Sequence, residues 1–375
     1  MTIKELDLFA VGTRRENGTL SPHIITRIIS DDGVVGAGEM SDLSIRNIPD
    51  INHLEYILRK SLIGIDPSDP TAIDLIVDGY KGQIGAGVDI AIHDLRAKSL
   101  GIPIHDLYGG AYRDRYKICY PIFRQFEEAD VAPNVERVGR MLELGFDLFR
   151  FYVGGNLEID NQILHECRDR YGDRFKVKSL DFSRRLDWKS CVAAVERLQW
   201  VEPILVESPA PDIPGKAKVR ERIRFPVSEH VSDETQAIAF AEGQAVDIFN
   251  IATCHQGIKR ARQIFAIAQA TGISTLIGTT QELSIGTSAQ AHLGASVSNL
   301  DYPGDAAGAQ LYIDDVVKHR VQYENGYLLV PKGPGLGMEL DESQLQKLGD
   351  RQWTFMQELP LERQEDRGKV GEKVQ

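Results

Sequence analysis

The chain has 375 residues, 26% charged and 42% hydrophobic, an ordinary globular balance for one large barrel domain or two to three average ones. Its formal net charge of −12 argues against a nucleic-acid binder, which needs a basic surface. Four scattered cysteines (Cys119, Cys167, Cys191, Cys254) with no CxxC pair, no apolar run of membrane-spanning length and no signal-peptide core predict a reduced, cytoplasmic protein with no membrane partner.

Residues 1–40 read as an antiparallel meander. Ile24-Ile25-Thr26-Arg27-Ile28-Ile29 is β-rich, Asp31-Asp32-Gly33 is a turn signal and Val34 to Glu39 begins a third strand. Residues 41–50 have loop composition and carry Asp42 and Arg46. Residues 66–80 read as helical. The clearest helix covers 85–100, where Val88, Ala91, Ile92 and Leu95 share one apolar face and Gly101 and Pro103 end it. Residues 1–115 therefore form a small α+β domain.

From about residue 116, β-rich runs alternate with helical patterns. The runs are Lys117–Ile122, Phe146–Val153, Phe175–Ser183, Ile204–Glu207, Phe225–Val231, Asp247–Ala252 and Ser274–Thr279. The helical patterns include Val135–Leu144, Asn161–Arg170, Val192–Leu198, Thr235–Glu242 and Ile258–Ala270. Such alternation signals parallel βα units, and seven of them fit a closed barrel better than an open sheet. No glycine-rich phosphate loop follows the first run, which removes the dinucleotide-binding alternative. The barrel spans 116–320. Beyond it, residues 321–375 carry a hairpin signal at Tyr323–Tyr327 and return to the first domain, with a charged tail expected to be disordered after about 362.

Polar groups at the ends of these runs are the candidate site. In Phe146–Val153, Arg150 and Tyr152 share one face while Phe149, Phe151 and Val153 share the other. A free phenol titrates near about 10, and a fixed cation beside it favours the phenolate. Arg150 is thus expected to depress the Tyr152 pKa and make it a proton acceptor. Asp181 and Glu207 end the next two runs. A carboxylate or imidazole ends the one after, Glu229 or His230, whose side chains point to opposite faces. Oxygen ligands on adjacent strand ends suit Mg²⁺, and on residue type alone Glu229 is the better third ligand. The seventh run ends in Thr279-Thr280-Gln281-Glu282.

The segment Gly87-Val-Asp-Ile-Ala-Ile-His-Asp-Leu-Arg-Ala-Lys98, followed by Gly101-Ile-Pro-Ile and Leu107-Tyr-Gly-Gly110, resembles the capping-domain signature of the mandelate racemase/muconate lactonising branch of the enolase superfamily. The resemblance runs from residue 1 to about 360. It implies a modified TIM barrel, (β/α)7β, with an N-terminal α+β capping domain completed by the C-terminal segment. It also implies Mg²⁺ at the ends of strands three, four and five, and α-proton abstraction through a metal-stabilised enediolate. The family places its fifth-strand ligand four residues after the strand's proline, which from Pro226 gives His230 in place of Glu229. The metal set implied is Asp181, Glu207 and His230.

Within that branch, Cys119-Tyr-Pro-Ile-Phe-Arg124, Phe149-Arg-Phe-Tyr-Val153, Glu207-Ser-Pro-Ala-Pro211 and Gly278-Thr-Thr-Gln-Glu-Leu-Ser284 resemble a divergent galactarate dehydratase group with an Arg-x-Tyr dyad. That likeness implies an acid-sugar hydro-lyase with Arg150 and Tyr152 as acid/base and Asp42 and Thr280 as substrate contacts. Arg14, Arg15, Asn17, Arg46 and Glu282 are further residues expected around the substrate, and Glu282 and His255 are the alternative bases. A small acid sugar as partner and a homo-oligomer are also implied. The chain departs from the patterns of the branch and the group in four ways. Arg150-Phe-Tyr152 replaces the common Lys-x-Lys, Ala252 stands where a sixth-strand Lys is frequent, the seventh-strand histidine base is absent from Thr279-Thr280-Gln281-Glu282, and Ile45 stands where the group has a His. Ile45 and Ala252 keep open a metal-binding barrel without turnover, and epimerisation at the same carbon is a second enzyme reading.

Overall fold

A computed structural model describes residues 1–16, 18, 20–43, 48–80 and 82–349. Asn17, Ile45, Arg46 and the tail beyond 349 lie outside the described residues. The expected meander is present: β1 (Ile3–Arg14), β2 (Leu20–Ser30) and β3 (Val35–Met40) pair antiparallel in sequence order. Three helices follow, α1 (Ile51–Leu62), α2 (Pro70–Gly79) and α3 (Gln83–Leu100). The sequence reading passed over α1, although Leu54, Leu58 and Leu62 recur every fourth residue and are all buried. α3 is buried along most of its length, packed between the meander and the barrel.

The first expected strand, Lys117–Ile122, is in fact two. β4 (Arg115–Lys117) leaves the barrel and joins a small antiparallel sheet, while β5 (Tyr120–Ile122) starts the parallel one. After α4 (Val131–Glu143) come β6 (Leu148–Tyr152), α5 (Leu157–Tyr171), β7 (Lys176–Asp181), α6 (Trp188–Leu198) and β8 (Leu205–Glu207). Then follow α7 (Ile213–Arg222), β9 (Val227–His230), α8 (Glu234–Glu242), β10 (Ile248–Ile251), α9 (Thr253–Thr271), β11 (Ser274–Ile277) and α10 (Ser284–Ala295). Strands β5 to β11 lie in chain order as one parallel sheet. α7 went unread because its sequence is mostly charged and only Gly215, Lys216 and Val219 are buried.

An irregular segment closes the barrel. On one side Asp301 N donates to Thr275 O and Asp305 N to Ile277 O. On the other, Gly304 N donates to Lys117 O and Cys119 N to Gly304 O. Residues 301–305 thus fill the eighth position between β11 and β5, which gives the modified (β/α)7β barrel with its capping domain. The outward face of β6 makes the core: Phe149 and Phe151 each pack 5.7 Å from Phe175. Each such buried ring contributes about 1.5–3 kcal/mol by leaving water, so the face of β6 that carries Arg150 and Tyr152 has to turn inward.

The hairpin forms from β12 (Tyr323–Glu324) and β13 (Tyr327–Leu329), and β13 pairs with β4. Asn325 and Gly326, both at positive φ, make the tight turn. The chain then runs back to the first domain. Gly335 bridges to Pro103, Leu336 N donates to Asp94 Oδ1 at 2.7 Å and Arg27 Nη1 donates to Glu342 Oε1 at 2.7 Å. Among the described residues no helix is long and apolar enough to cross a membrane.

Candidate active site

Four adjacent strands deliver the expected side chains to one rim of the barrel. The register pairs Tyr152 with Asp181, Asp181 with Glu207, Glu207 with Ser228, and Asn250 with His230. This is the C-terminal rim, where barrel enzymes place their chemistry. Backbone at positive φ gathers here in residues other than glycine: Ser183 and Arg184 after β7, Ser208 after β8 and Gln281 after β11. Strained backbone of this kind concentrates at functional sites.

Arg150 is 1% exposed and is the hub. Its Nη2 donates to the Tyr152 hydroxyl, and its guanidinium lies 4.6 Å from the Tyr152 ring centroid. Nη1 is 3.2 Å from Glu207 Oε1 and 3.4 Å from Asp305 Oδ2, and Nε is 4.0 Å from Asp181 Oδ2. Lys178 Nζ sits 2.6 Å from Asp305 Oδ1 and 3.9 Å from Glu207 Oε2. Asn250 donates to Glu207 at 3.1 Å and to Asp305 at 3.2 Å. A Cβ on Gly278 would stand 1.8 Å from Asn250 Oδ1, so only glycine leaves room for this amide at the end of β11.

One expectation is overturned. The Tyr152 phenol is pushed above its ordinary value, not below it. Burial is the largest cause. Arg150 opposes it, but Asp181, Glu207 and Asp305 all add to the rise. Arg150 does lower the phenol's pKa, but burial together with the charges of Asp181, Glu207 and Asp305 outweighs it.

That imbalance also bears on a metal. Among the described residues no three His, Cys, Asp or Glu side chains form a ready-made cage. The donor set nevertheless fits a hard divalent cation. Asp181 and Glu207 are buried neighbours, and burial, reinforced by the Glu207 charge, pushes Asp181 up to about 6. His230 brings Nε2 to 3.2 Å from Glu207 Oε1, while its Nδ1 is buried without a partner. A divalent ion would add two positive charges beside Asp181 and Glu207, an environment suited to a carboxylate ligand. Glu229 is turned away from this cluster. Arg184 at 2.9 Å, Lys216 at 3.1 Å and Ser208 at 2.8 Å already surround it. His230, not Glu229, therefore stands beside Glu207.

The capping domain contributes Arg15 and Asp42, which pair at 3.0 Å. Arg15 also lies 5.5 Å over Phe123, which in turn stacks on Tyr152 at 5.7 Å, so these cap residues approach the rim. Thr280 Oγ1 meets Ser41 Oγ at 2.7 Å across the same seam. Arg14 is exposed on β1, one residue from Arg15 and so directed to the other face. Glu282 does not join the site. It is 1% exposed, and the Thr279 hydroxyl, Thr280 N at 2.8 Å and Gln290 Nε2 at 3.2 Å take up its carboxylate. His255 does reach the rim, its ring 5.8 Å from that of His230. Burial, with the charges of His230 and Arg184, drops its pKa to about 3, so it stays neutral.

Four site groups escaped the sequence reading. Lys178 and Asn250 lie inside β-rich runs, where a charged or amide side chain among apolar neighbours was the available signal. Asp305 sits in Asp-Tyr-Pro-Gly-Asp, which carries no strand signature. Arg124, at the end of β5, donates to Val153 O at 3.2 Å and to Ser183 Oγ at 3.0 Å.

Residues 134–344 match the family model described as "Enolase C-terminal domain-like", and residues 8–109 match the "Mandelate racemase / muconate lactonizing enzyme, N-terminal domain". Muconate cycloisomerase 1 of Acinetobacter baylyi is 27% identical over 342 residues, covering 87% of this chain and 91% of that protein. Muconate cycloisomerase 1 of Pseudomonas putida is 28% identical over 344 residues, covering 88% and 90%. The crystal structure of 2-chloromuconate cycloisomerase from Rhodococcus opacus 1CP superposes with a TM-score of 0.83 at 26% identity, covering 92% of this chain and 99% of that one. With both models matched over most of its length, the chain belongs to the enolase superfamily, in its mandelate racemase/muconate lactonizing branch.

Proposed function

We propose that this protein is an acid-sugar dehydratase. It removes the proton α to a carboxylate and expels the β-hydroxyl as water, giving a 2-keto-3-deoxy acid. The observation that carries the reading is the contact of Arg150 with the Tyr152 hydroxyl directly beside Asp181 and Glu207. Asp181, Glu207 and His230 are the residues that would hold Mg²⁺. Bound there, it supplies Lewis-acid stabilisation of charge on the substrate carboxylate and cancels two of the carboxylates that keep Tyr152 protonated. Tyr152 takes the α-proton, and Arg150 stabilises the phenolate and holds its oxygen in place. Returned to a phenol, Tyr152 has a proton to give to the departing hydroxyl on the same face. Because position 45 is Ile, the capping loop has no His there to share that task. Phe123 stacks on Tyr152 and screens its ring from water.

A second reading is favoured by the relatives, whose names are those of muconate and chloromuconate cycloisomerases. A cycloisomerase also works next to a carboxylate, so one assay separates the two. The protein is incubated with Mg²⁺ and a set of aldarates, aldonates and cis,cis-muconate, and products are followed by 2-keto-acid trapping and ultraviolet absorbance. Dehydration predicts keto acid from at least one acid sugar. Loss of diene absorbance with no keto acid from any sugar would transfer the assignment to cycloisomerisation.

A further inference from the structure

Four arginines among the described residues reach the rim: Arg15, Arg124, Arg150 and Arg184. Three have a carboxylate partner. Arg15 pairs with Asp42 at 3.0 Å, Arg150 with Glu207 at 3.2 Å and Arg184 with Glu229 at 2.9 Å. Arg124 is different. Its hydrogen bonds go to neutral oxygens only: Val153 O at 3.2 Å, Asp181 O at 3.5 Å and Ser183 Oγ at 3.0 Å. Nη2 makes the last two and Nε the first, so Nη1 keeps its donors free of any described acceptor.

The chain has gone to some length to hold this cation where it is. Its stem crosses the end of β6 over Gly155, where a Cβ would stand 2.8 Å from Arg124 Cγ and 2.7 Å from Gln125 O. Its guanidinium then lies 5.7 Å from the Tyr152 ring centroid. A half-buried guanidinium tied down by three neutral acceptors has lost part of its water without gaining a carboxylate at ion-pair distance. Burial accordingly lowers its pKa from the ordinary value, with Asp181 only partly compensating. A side chain held so is preorganised for an anion arriving from outside, and the guanidinium fork suits a carboxylate.

We propose that Arg124 binds a second carboxylate of the substrate, so that the site selects dicarboxylates over monocarboxylates. The proposal rests on the reading that places Tyr152 at the reacting carbon. The sequence placed Arg14, Arg15 and Arg46, not Arg124, around the substrate. Of those, Arg15 already meets Asp42, and Arg46 lies outside the described residues.

The test is a set of calorimetric titrations of the Mg²⁺-loaded protein with matched pairs differing by one carboxylate: galactarate and galactonate, glucarate and gluconate, muconate and sorbate. The parent should bind at least one dianion more tightly than its monoanion. Arg124→Gln should lose about tenfold to a hundredfold for that dianion, the worth of a charge-assisted hydrogen bond, and less than about threefold for the monoanion. Arg124→Lys, which keeps the charge without the fork, should restore part of the preference. An equal loss for both members of a pair would make Arg124 an electrostatic or structural support and overturn the proposal, as would a parent with no dianion preference in any pair. Each titration is carried in the Tyr152→Phe background, so that binding is read without turnover, and keto-acid formation is followed separately in the parent. A protein that prefers the dianion through Arg124 yet yields no keto acid would refute dehydration and leave this inference standing.

Discussion

Replacing Arg150 by Met asks whether the guanidinium is the counter-ion that holds the rim together. Met keeps most of the stem volume and removes the charge. The parent side chain is 1% exposed and lies 3.2 Å from Glu207, 3.4 Å from Asp305 and 4.0 Å from Asp181. In Arg150→Met, the three buried carboxylates lose the one cation that reaches all of them. Removing one partner of a buried ion pair costs about 3–5 kcal/mol, because the other charge stays buried without compensation. Asp181, already pushed up to about 6, can take up a proton and return part of that cost. The expected loss is therefore about 3 kcal/mol near neutral pH, at the low end of that range. Urea unfolding in the presence of a chelator, followed by both fluorescence and circular dichroism, reads it. The loss should shrink in saturating Mg²⁺, since a cation on Asp181 and Glu207 replaces the missing positive charge. A variant as stable as the parent, or a deficit that Mg²⁺ leaves unchanged, would refute the charge balance drawn for this site.

Three further outcomes follow from the same geometry. His230→Ala should weaken Mg²⁺ binding by more than about tenfold, whereas Glu229→Gln should mainly lower stability by leaving Arg184 and Lys216 without their carboxylate; titration calorimetry and thermal melts compare the two. Gly278→Ala should cost about 1–3 kcal/mol, because its Cβ would sit 1.8 Å from Asn250 Oδ1, and melts of this variant give the size directly. Burial raises Asp160 from 3.8 to about 7, against the Gly154 N–H that it accepts. The folded state thus holds a proton that the unfolded chain releases. That contribution to stability is whole below about pH 4 and lost as pH rises through about 7. Asp160→Asn, which retains an acceptor for Gly154, should be roughly 1–4 kcal/mol more stable than the parent at pH 8, and the difference should shrink as the pH is lowered toward 4.

Much of the architecture was readable from periodicity. The two-residue alternation of Phe149-Arg150-Phe151-Tyr152 determined which side chains turn inward, and the strand-end positions of Asp181 and Glu207 followed from the same rule. Family spacing chose His230 over Glu229; in the structure Arg184 and Lys216 claim Glu229, and His230 lies beside Glu207. Residues 301–305 were unreadable because closing the last gap needs only a few backbone hydrogen bonds, and Asp-Tyr-Pro-Gly-Asp makes them without β-forming side chains. Asp305 was lost with that segment. This is why the sign of the Tyr152 shift was misjudged: with Arg150 as the only neighbour the phenol falls, and with three carboxylates and burial it rises. Glu282 looked like a strand-end acid, but its partner Gln290 becomes a neighbour only once α10 is in place.

The central claim is that Tyr152 moves the α-proton. Tyr152→Phe removes one oxygen that holds no metal and leaves the ring stacked on Phe123. In D₂O, with Mg²⁺ and a sugar acid that the parent turns over, α-deuterium exchange and product formation followed by NMR should fall by about two to four orders of magnitude, while Mg²⁺ affinity changes little. Exchange at near-parental rate in Tyr152→Phe would contradict the account and send the search for the base to His255.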